Sequence, residues 1–192
     1  MMTTLNREKM LLASYADLLE YPSTRTIEVS NFLDVLYEVS ETPPCEHYKE
    51  FLTYVMERPL GELQEHYVST FDLSGQFVPY LGYHLYGEGY ERSTFMVELI
   101  ERYRRSNFEE PKTELPDHLI VILRFLSSDE VELNDHSDLI DSTVKVLGQI
   151  VGGGCEGGNC TQELLKDSGN FYPILLKLLY NTLQQLTIGG NE

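Results

Sequence analysis

Three adjacent residues, Pro116, Asp117 and His118, place a carboxylate and an imidazole directly before the apolar run LIVILRFL. Proline is well tolerated in the first turn of a helix, and a negative charge there meets the positive end of the helix dipole. The triple therefore predicts a helix from Pro116 to about Ser127, with Asp117 as a surface acid. The same two side chains at the edge of a groove could instead bind an arginine or a backbone group of a peptide.

A second concentration of side chains suited to recognition lies in residues 66–93. Its aromatic and imidazole groups include Tyr80, Tyr83, His84, Tyr86 and Tyr90. Tyrosine combines a flat apolar ring with a polar tip, which is why it is frequent at binding surfaces. Rings at helical spacing also fill cores, so two interpretations stay open: core packing, or the wall of a binding site.

Two cysteines form a third candidate. Cys155 and Cys160 lie in the glycine-rich stretch GGGCEGGNC, residues 152–160. Two thiolates at this spacing supply half of the four ligands that zinc needs. The remaining cysteine is the distant Cys45, so we assign no metal site. One interpretation is a flexible loop with two free thiols, and the alternative is a metal or redox carrier that uses both cysteines.

The composition narrows the class of partner and the compartment. The formal net charge is −17, from 31 acidic and 14 basic residues. Nucleic acids bind through Lys and Arg, so we expect no nucleic-acid partner, whereas an acidic surface attracts basic polypeptide segments. A low, odd cysteine count indicates a reducing compartment. Because no signal-peptide core and no run of 18 apolar residues occurs, we expect a soluble, cytoplasmic protein without membrane insertion.

Enzymatic motifs are absent from the sequence. It contains no P-loop, no glycine-rich dinucleotide motif after a strand, no HExxH and no GxSxG. We therefore expect no catalytic activity and no bound cofactor.

The elements that must position these groups are helical. Apolar residues recur with the helical period along most of the chain, most regularly at Leu175, Leu176, Leu179 and Leu183. Strict apolar–polar alternation, typical of half-buried strands, is missing. The pattern predicts an all-α protein: a compact bundle of seven or eight helices in one domain, residues 1–186, with a flexible tail at 187–192.

The motifs, in their order along the chain, resemble a known family. LQEHYVSTFDLS leads into YLGYHLYGEGYERSTFMVELIERYR and then into ELPDHLIVILRFL. This order resembles the delta-subunit family of respiratory nitrate reductases, the NarJ-type assembly chaperones, within the wider TorD and DmsD group for molybdenum enzymes. The resemblance extends over about residues 10–186.

The resemblance implies a TorD-like helical fold and a chaperone that is not part of the finished enzyme. Its partner would be the catalytic subunit of a molybdenum oxidoreductase, most readily the nitrate reductase alpha type, bound through a basic N-terminal leader. Assistance with molybdenum cofactor insertion follows from the same resemblance. Six residues are expected to bind the leader: Pro116, Asp117, His118, Tyr83, His84 and Tyr86. Several relatives have tryptophans in this groove, whereas this chain has none.

Physical chemistry suggests how such a leader would bind. An amphipathic leader helix would bury its apolar face in a groove, at roughly 1.5–3 kcal/mol per side chain. Its Arg or Lys residues are expected to meet Asp117 and the acidic surface. Exposed charge pairs contribute only about 0–1 kcal/mol each, so charge should govern the encounter more than the final affinity.

Overall fold

The computed structural model describes residues 4–26, 28–30, 48–73, 77–151 and 171–189. Within these ranges the α-helices are α1 (Thr4–Leu18), α2 (Tyr48–Glu57), α3 (Leu60–Tyr67), α4 (Leu81–Tyr86), α5 (Tyr90–Arg105), α6 (Leu119–Leu126), α7 (Ser137–Ile150) and α8 (Tyr172–Gly189). A π-helical segment (Val68–Leu73) continues α3, and a 3-10 turn (Leu133–His136) precedes α7. In this part of the chain, strand pairing is limited to one isolated bridge, and the predicted all-α class is confirmed.

Two sequence-based expectations concern the C-terminal part of the chain: the cysteine-containing loop and the end of the domain. The glycine-rich loop with Cys155 and Cys160 lies outside the described residues. The last helix extends to Gly189, three residues past the predicted domain end at 186. No helix within the described ranges is long and apolar enough to span a membrane.

Helix α6 lies at the centre of the core because its sequence is apolar on almost every side. Its five fully buried side chains are Val121, Ile122, Leu123, Phe125 and Leu126. Burial of each contributes roughly 1.5–3 kcal/mol to folding, so this short helix is held by packing rather than by its own length.

Helix α1 covers one side of α6. Leu12 and Tyr15 are fully buried, and the Tyr15 hydroxyl lies 3.2 Å from the hydroxyl of Thr182 on α8. At the solvent edge, Arg124 of α6 donates to Asp17 of α1 at 2.8 Å. The contact therefore combines an apolar centre with a charged border.

Helices α7 and α8 pack against each other, α8 also contacts α1, and α4 packs against α5 and α7. Gly148 allows the close approach of α7, since a Cβ there would lie 3.2 Å from the Tyr180 ring. Tyr172 of α8 contacts Tyr67 and Phe71 through edge-on ring pairs at 5.7 and 4.9 Å. These contacts bring α4, α7, α8 and the π-helical segment around one region of the surface.

Truncation of Phe125 tests the central position of α6. The ring contacts Tyr103, Phe108 and His136 with centroids 4.8, 5.5 and 4.8 Å away. Phe125→Ala should lower the free energy of unfolding by about 3–5 kcal/mol because it leaves a cavity. Val97→Ala, at an exposed position of α5, should change it by no more than about 0.5 kcal/mol. Chemical denaturation measures both, and equal losses would contradict this core.

Candidate functional site

Helix α6 begins at Leu119 and not at Pro116, so the predicted start was three residues early. His118 is the N-cap: its backbone is extended (φ −69°, ψ 134°), and its Nδ1 accepts the N–H of Ile120 at 3.2 Å. Pro116 and Asp117 therefore lie in the turn before the helix. A side-chain acceptor at this position satisfies one of the N–H groups that the first turn leaves free.

Residues 117–119 pair with residues 79–81 through two backbone hydrogen bonds, and the backbone of His118 between them is extended. The N–H of Leu81 donates to the carbonyl of Asp117 at 2.8 Å, and the N–H of Leu119 donates to the carbonyl of Pro79 at 2.7 Å. Tyr80 and His118 face each other in this antiparallel bridge. We call residues 79–81 and 117–119 the bridge; it joins the two motifs that the sequence analysis singled out.

Asp117 is fully buried, which corrects the expectation of a surface acid at a groove edge. Its carboxylate is bound by Arg92 of α5: Nε donates to Oδ2 at 2.8 Å and Nη2 to Oδ1 at 3.3 Å. A buried carboxylate without a partner is strongly destabilising, so the fold supplies an internal arginine. In this conformation the carboxylate is not available to an arginine of a bound peptide.

Further contacts from α5 and α4 enclose the ion pair. The guanidinium of Arg92 lies 5.3 Å from the centroid of the Tyr80 ring, and the hydroxyl of Tyr103 donates to the carbonyl of Pro116 at 2.8 Å. Gly82 leaves the space for the carboxylate, since a Cβ there would lie 2.8 Å from Oδ2 of Asp117. The hydrogen bond from Arg92 to Asp117 raises the pKa of the arginine further.

His118 is also nearly buried, at 6% exposure. Burial lowers the pKa of its imidazole because the charged form loses hydration, and the nearby carboxylates of Glu114 and Asp117 oppose that shift. The neutral ring suits the N-cap, where Nδ1 must offer a lone pair. The planes of the imidazole and the Tyr80 ring are nearly perpendicular, at 85°, with their centroids 5.1 Å apart, so the Tyr80 ring restrains the imidazole beside the bridge.

An apolar cleft opens beside the bridge. Its volume is about 360 Å³, counted with its opening to solvent. Helices α4, α6, α7 and α8, the π-helical segment and the bridge contribute lining residues, among them Phe71, Phe77, Tyr80, Leu81, His84, Leu119, Val146, Leu147 and Leu176. Such a surface can bury a few apolar side chains and has little to offer a charged group.

The three α4 residues expected to bind a leader, Tyr83, His84 and Tyr86, lie on two different surfaces. His84 lines the cleft, and its Nε2 donates to the carbonyl of Val78 at 2.7 Å. Tyr83 and Tyr86 are exposed at 38% and 48%, and neither lines the cleft. Tyr86 packs against Phe95 of α5 with ring centroids 5.5 Å apart. The structure thus brings His84 next to the bridge and leaves the two tyrosines outside.

Carboxylates collect near the mouth of this region. Burial raises the pKa of Tyr67 to about 12, and the negative charges of Asp72, Glu114 and Glu20 add to the shift. Glu114 lies 3.9 Å from His118 and remains partly exposed. Within the described residues, no group of three or more His, Cys, Asp or Glu side chains is arranged to hold a metal ion.

The family is decided by the segment that contains this site. A family model described as "Nitrate reductase delta subunit" matches residues 40–150, more than half of the chain. The chain belongs to the nitrate reductase delta subunit family. The resemblance inferred from the order of the motifs is confirmed, and the matched segment contains the whole bridge, the ion pair and most of the cleft.

Two bacterial proteins are similar to this chain in sequence. A protein of Bacillus subtilis (strain 168), named "Probable nitrate reductase molybdenum cofactor assembly chaperone NarJ", is 29% identical over 132 residues, 68% of this chain and 71% of that protein. The nitrate reductase-like protein NarX of Mycobacterium tuberculosis (strain ATCC 25618 / H37Rv) is 36% identical over 66 residues. That match covers 34% of this chain and 10% of NarX.

A solved structure supports the fold. The crystal structure of a proposed redox enzyme maturation protein from Archaeoglobus fulgidus has a TM-score of 0.57 to this delta-family chain. The match covers 94% of this chain and 92% of that one, at 18% identity. At this identity the likeness establishes the helical fold alone.

Three residues that contribute to the site were not predicted from the sequence: Arg92, Gly82 and Glu114. Arg92 lies 25 residues before its partner, and no local period relates the two. Gly82 carried a usable signal, because a glycine inside a helical stretch often marks a close approach of other groups.

Substitution of Gly82 tests the packing around the carboxylate. In Gly82→Ala the new methyl group would clash with Asp117 Oδ2, and we expect the free energy of unfolding to fall by about 1–3 kcal/mol. Gly61 of α3 is the matched control, since a Cβ there meets nothing within 4 Å. Gly61→Ala should be neutral or stabilising by no more than about 1 kcal/mol. Thermal and urea denaturation compare the two, and a neutral Gly82→Ala would refute the close contact.

The burial of His118 predicts a specific loss of stability in acid. Because the folded-state pKa lies below that of the unfolded chain, the unfolded chain binds the proton more readily. Stability is therefore complete above the unfolded pKa of about 6.5 and is lost as the pH falls through the folded pKa. His118→Asn keeps a cap acceptor without this titration, so its stability should fall less between pH 7 and 5. Denaturation midpoints measure the difference; parallel pH profiles would contradict it.

Proposed function

We propose that this delta-family chain is a cytoplasmic assembly chaperone for a molybdenum oxidoreductase, most readily a nitrate reductase. It binds the basic N-terminal leader of the catalytic subunit, assists molybdenum cofactor insertion into that subunit and performs no catalysis itself. Three observations support this role: family membership, the similarity to the Bacillus subtilis chaperone and the apolar cleft. Residues 1–186 act as one chaperone domain.

The observation that carries the proposal is the apolar cleft beside the bridge. Its enclosed space is small, about 20 Å³, which is room for about one water molecule, and the rest of the cleft is open to solvent. A leader helix would therefore lay the apolar side chains of one face against the lining of the cleft rather than enter it. Burial at roughly 1.5–3 kcal/mol per side chain supplies most of the affinity.

The six residues expected to bind the leader take different roles in this proposal. His84 contacts the leader at the lining of the cleft. Pro116, Asp117 and His118 support the wall of the cleft, because Asp117 and His118 are buried and Asp117 is already paired. Tyr83 and Tyr86 contact the part of the leader that extends beyond the cleft.

The basic side chains of the leader meet carboxylates other than Asp117. Glu114 is exposed, and its Oε2 lies 3.5 Å from the hydroxyl of Tyr80, which lines the cleft. Asp72 is exposed directly after Phe71, another lining residue. With a net charge of −17, the chain attracts a basic leader at long range, so charge accelerates the encounter.

Truncation inside the cleft tests the proposal. Phe77 lines the cleft and is half-buried, so Phe77→Ala should weaken leader binding about tenfold, with the helical circular dichroism unchanged. Val97→Ala, on the exposed side of α5, is the matched control and should bind normally. The measurement is fluorescence anisotropy of a labelled synthetic leader from the catalytic subunit encoded by the same host. If the wild-type chain fails to bind that peptide, the proposed leader recognition is wrong. If Phe77→Ala and Val97→Ala bind it with equal affinity, the cleft is not the binding site.

A further inference from the structure

Arg92 of α5 lies beside the turn that pairs with the cleft wall, and its side chain is only 15% exposed. It forms a two-point ion pair with the fully buried carboxylate of Asp117, at 2.8 and 3.3 Å. The guanidinium also lies over the Tyr80 ring at 5.3 Å. Arg92 thus contacts one lining residue, Tyr80, and the buried support behind it, Asp117, but does not itself line the cleft.

The ion pair is connected to the cleft through a short chain of contacts. The carbonyl of Asp117 accepts from the N–H of Leu81, and the N–H of Leu119 donates to Pro79. Pro79, Tyr80, Leu81 and Leu119 all line the cleft. A shift of Asp117 would therefore move both paired segments of the bridge, and with them this wall.

Helix α5 holds the same turn at a second point. The hydroxyl of Tyr103 donates to the carbonyl of Pro116 at 2.8 Å, one residue before Asp117. Arg92 and Tyr103 are eleven residues apart, about three helical turns, so one rigid helix positions both. Two contacts from one helix restrain translation and rotation of the turn better than a single contact does.

We propose that Arg92 is a positioning residue for leader binding, acting through Asp117 to hold the bridge in the shape that forms the cleft. The proposal rests on the leader-binding function proposed above. In it, neither Arg92 nor the carboxylate of Asp117 touches the leader, and the pair remains closed in the complex.

A different role for the same pair predicts the opposite result. If Arg92 occupied a site meant for an arginine of the leader, its removal would free Asp117 and strengthen leader binding. If Asp117 contacted the leader directly, its charge would be required whatever stands at position 92. The positioning role instead requires that the two side chains match each other in shape and hydrogen bonding.

The test is a double-mutant cycle with Arg92→Gln, Asp117→Asn and the combined variant. The Nε2 of glutamine occupies nearly the place of the arginine Nε, which makes the shorter bond to Asp117. The combined variant therefore keeps one hydrogen bond and removes both charges. Arg92→Gln alone leaves a buried carboxylate uncompensated. We expect each single variant to bind the labelled leader at least about tenfold more weakly, and the combined variant to return to within about threefold of wild type.

Two controls separate positioning from loss of charge or of stability. Arg104→Met removes a positive charge from the same helix at an exposed position and should bind the leader normally. Phe125→Leu destabilises the core without touching the bridge and should also bind normally at a temperature where circular dichroism shows it folded. Arg92→Lys, measured under the same conditions, should bind with intermediate affinity, because lysine keeps the charge but not the planar fork.

The outcomes are distinct from those that test leader binding itself. Normal or tighter binding by Arg92→Gln would overturn the positioning role. A combined variant that binds as weakly as Asp117→Asn would overturn it too, because the carboxylate would then be needed by the leader. Failure of the wild-type chain to bind the leader would instead reject the proposed function.

Discussion

A carboxylate removed from water needs an opposite charge and good hydrogen-bond donors, and the wall of the cleft depends on how Asp117 meets that need. Its side chain is bound by Arg92 of α5, while its backbone carbonyl accepts from Leu81 of α4. The following residue, His118, is the N-cap of α6. Three helices are thus tied together within two consecutive residues, and a displacement of α5 away from this turn would leave a buried charge unpaired.

Buried and exposed charges near the cleft have different effects. The Arg92–Asp117 pair is internal, so it stabilises one geometry and offers nothing to solvent. The carboxylates of Glu114 and Asp72 remain exposed near the cleft and contribute to a strongly negative surface. Exposed pairs of this kind add little affinity but accelerate the approach of a basic partner. In the proposed complex, affinity comes from apolar burial in the cleft.

The surface exposure expected for Asp117 was wrong, and so was the predicted start of the helix. Pro116 and Asp117 have good local preferences for a first helical turn, and on that basis the predicted helix began three residues early. The extended pairing of residues 117–119 with 79–81 overrides that preference. Likewise, the tyrosines near α4 look alike in sequence, yet Tyr80 and His84 line the cleft while Tyr83 and Tyr86 lie outside it.

Three properties could be predicted from the sequence alone: the helical class, the family and the acidic character of the surface. Each of these follows from information that is local or additive: apolar period, order of motifs and net charge. Only the tertiary structure decided that Asp117 is buried, that Arg92 is its partner and that Gly82 leaves room for both. The physical reason is that burial and pairing depend on which distant segments meet. These contacts between distant segments form when the helices pack, so a local sequence pattern does not predict them.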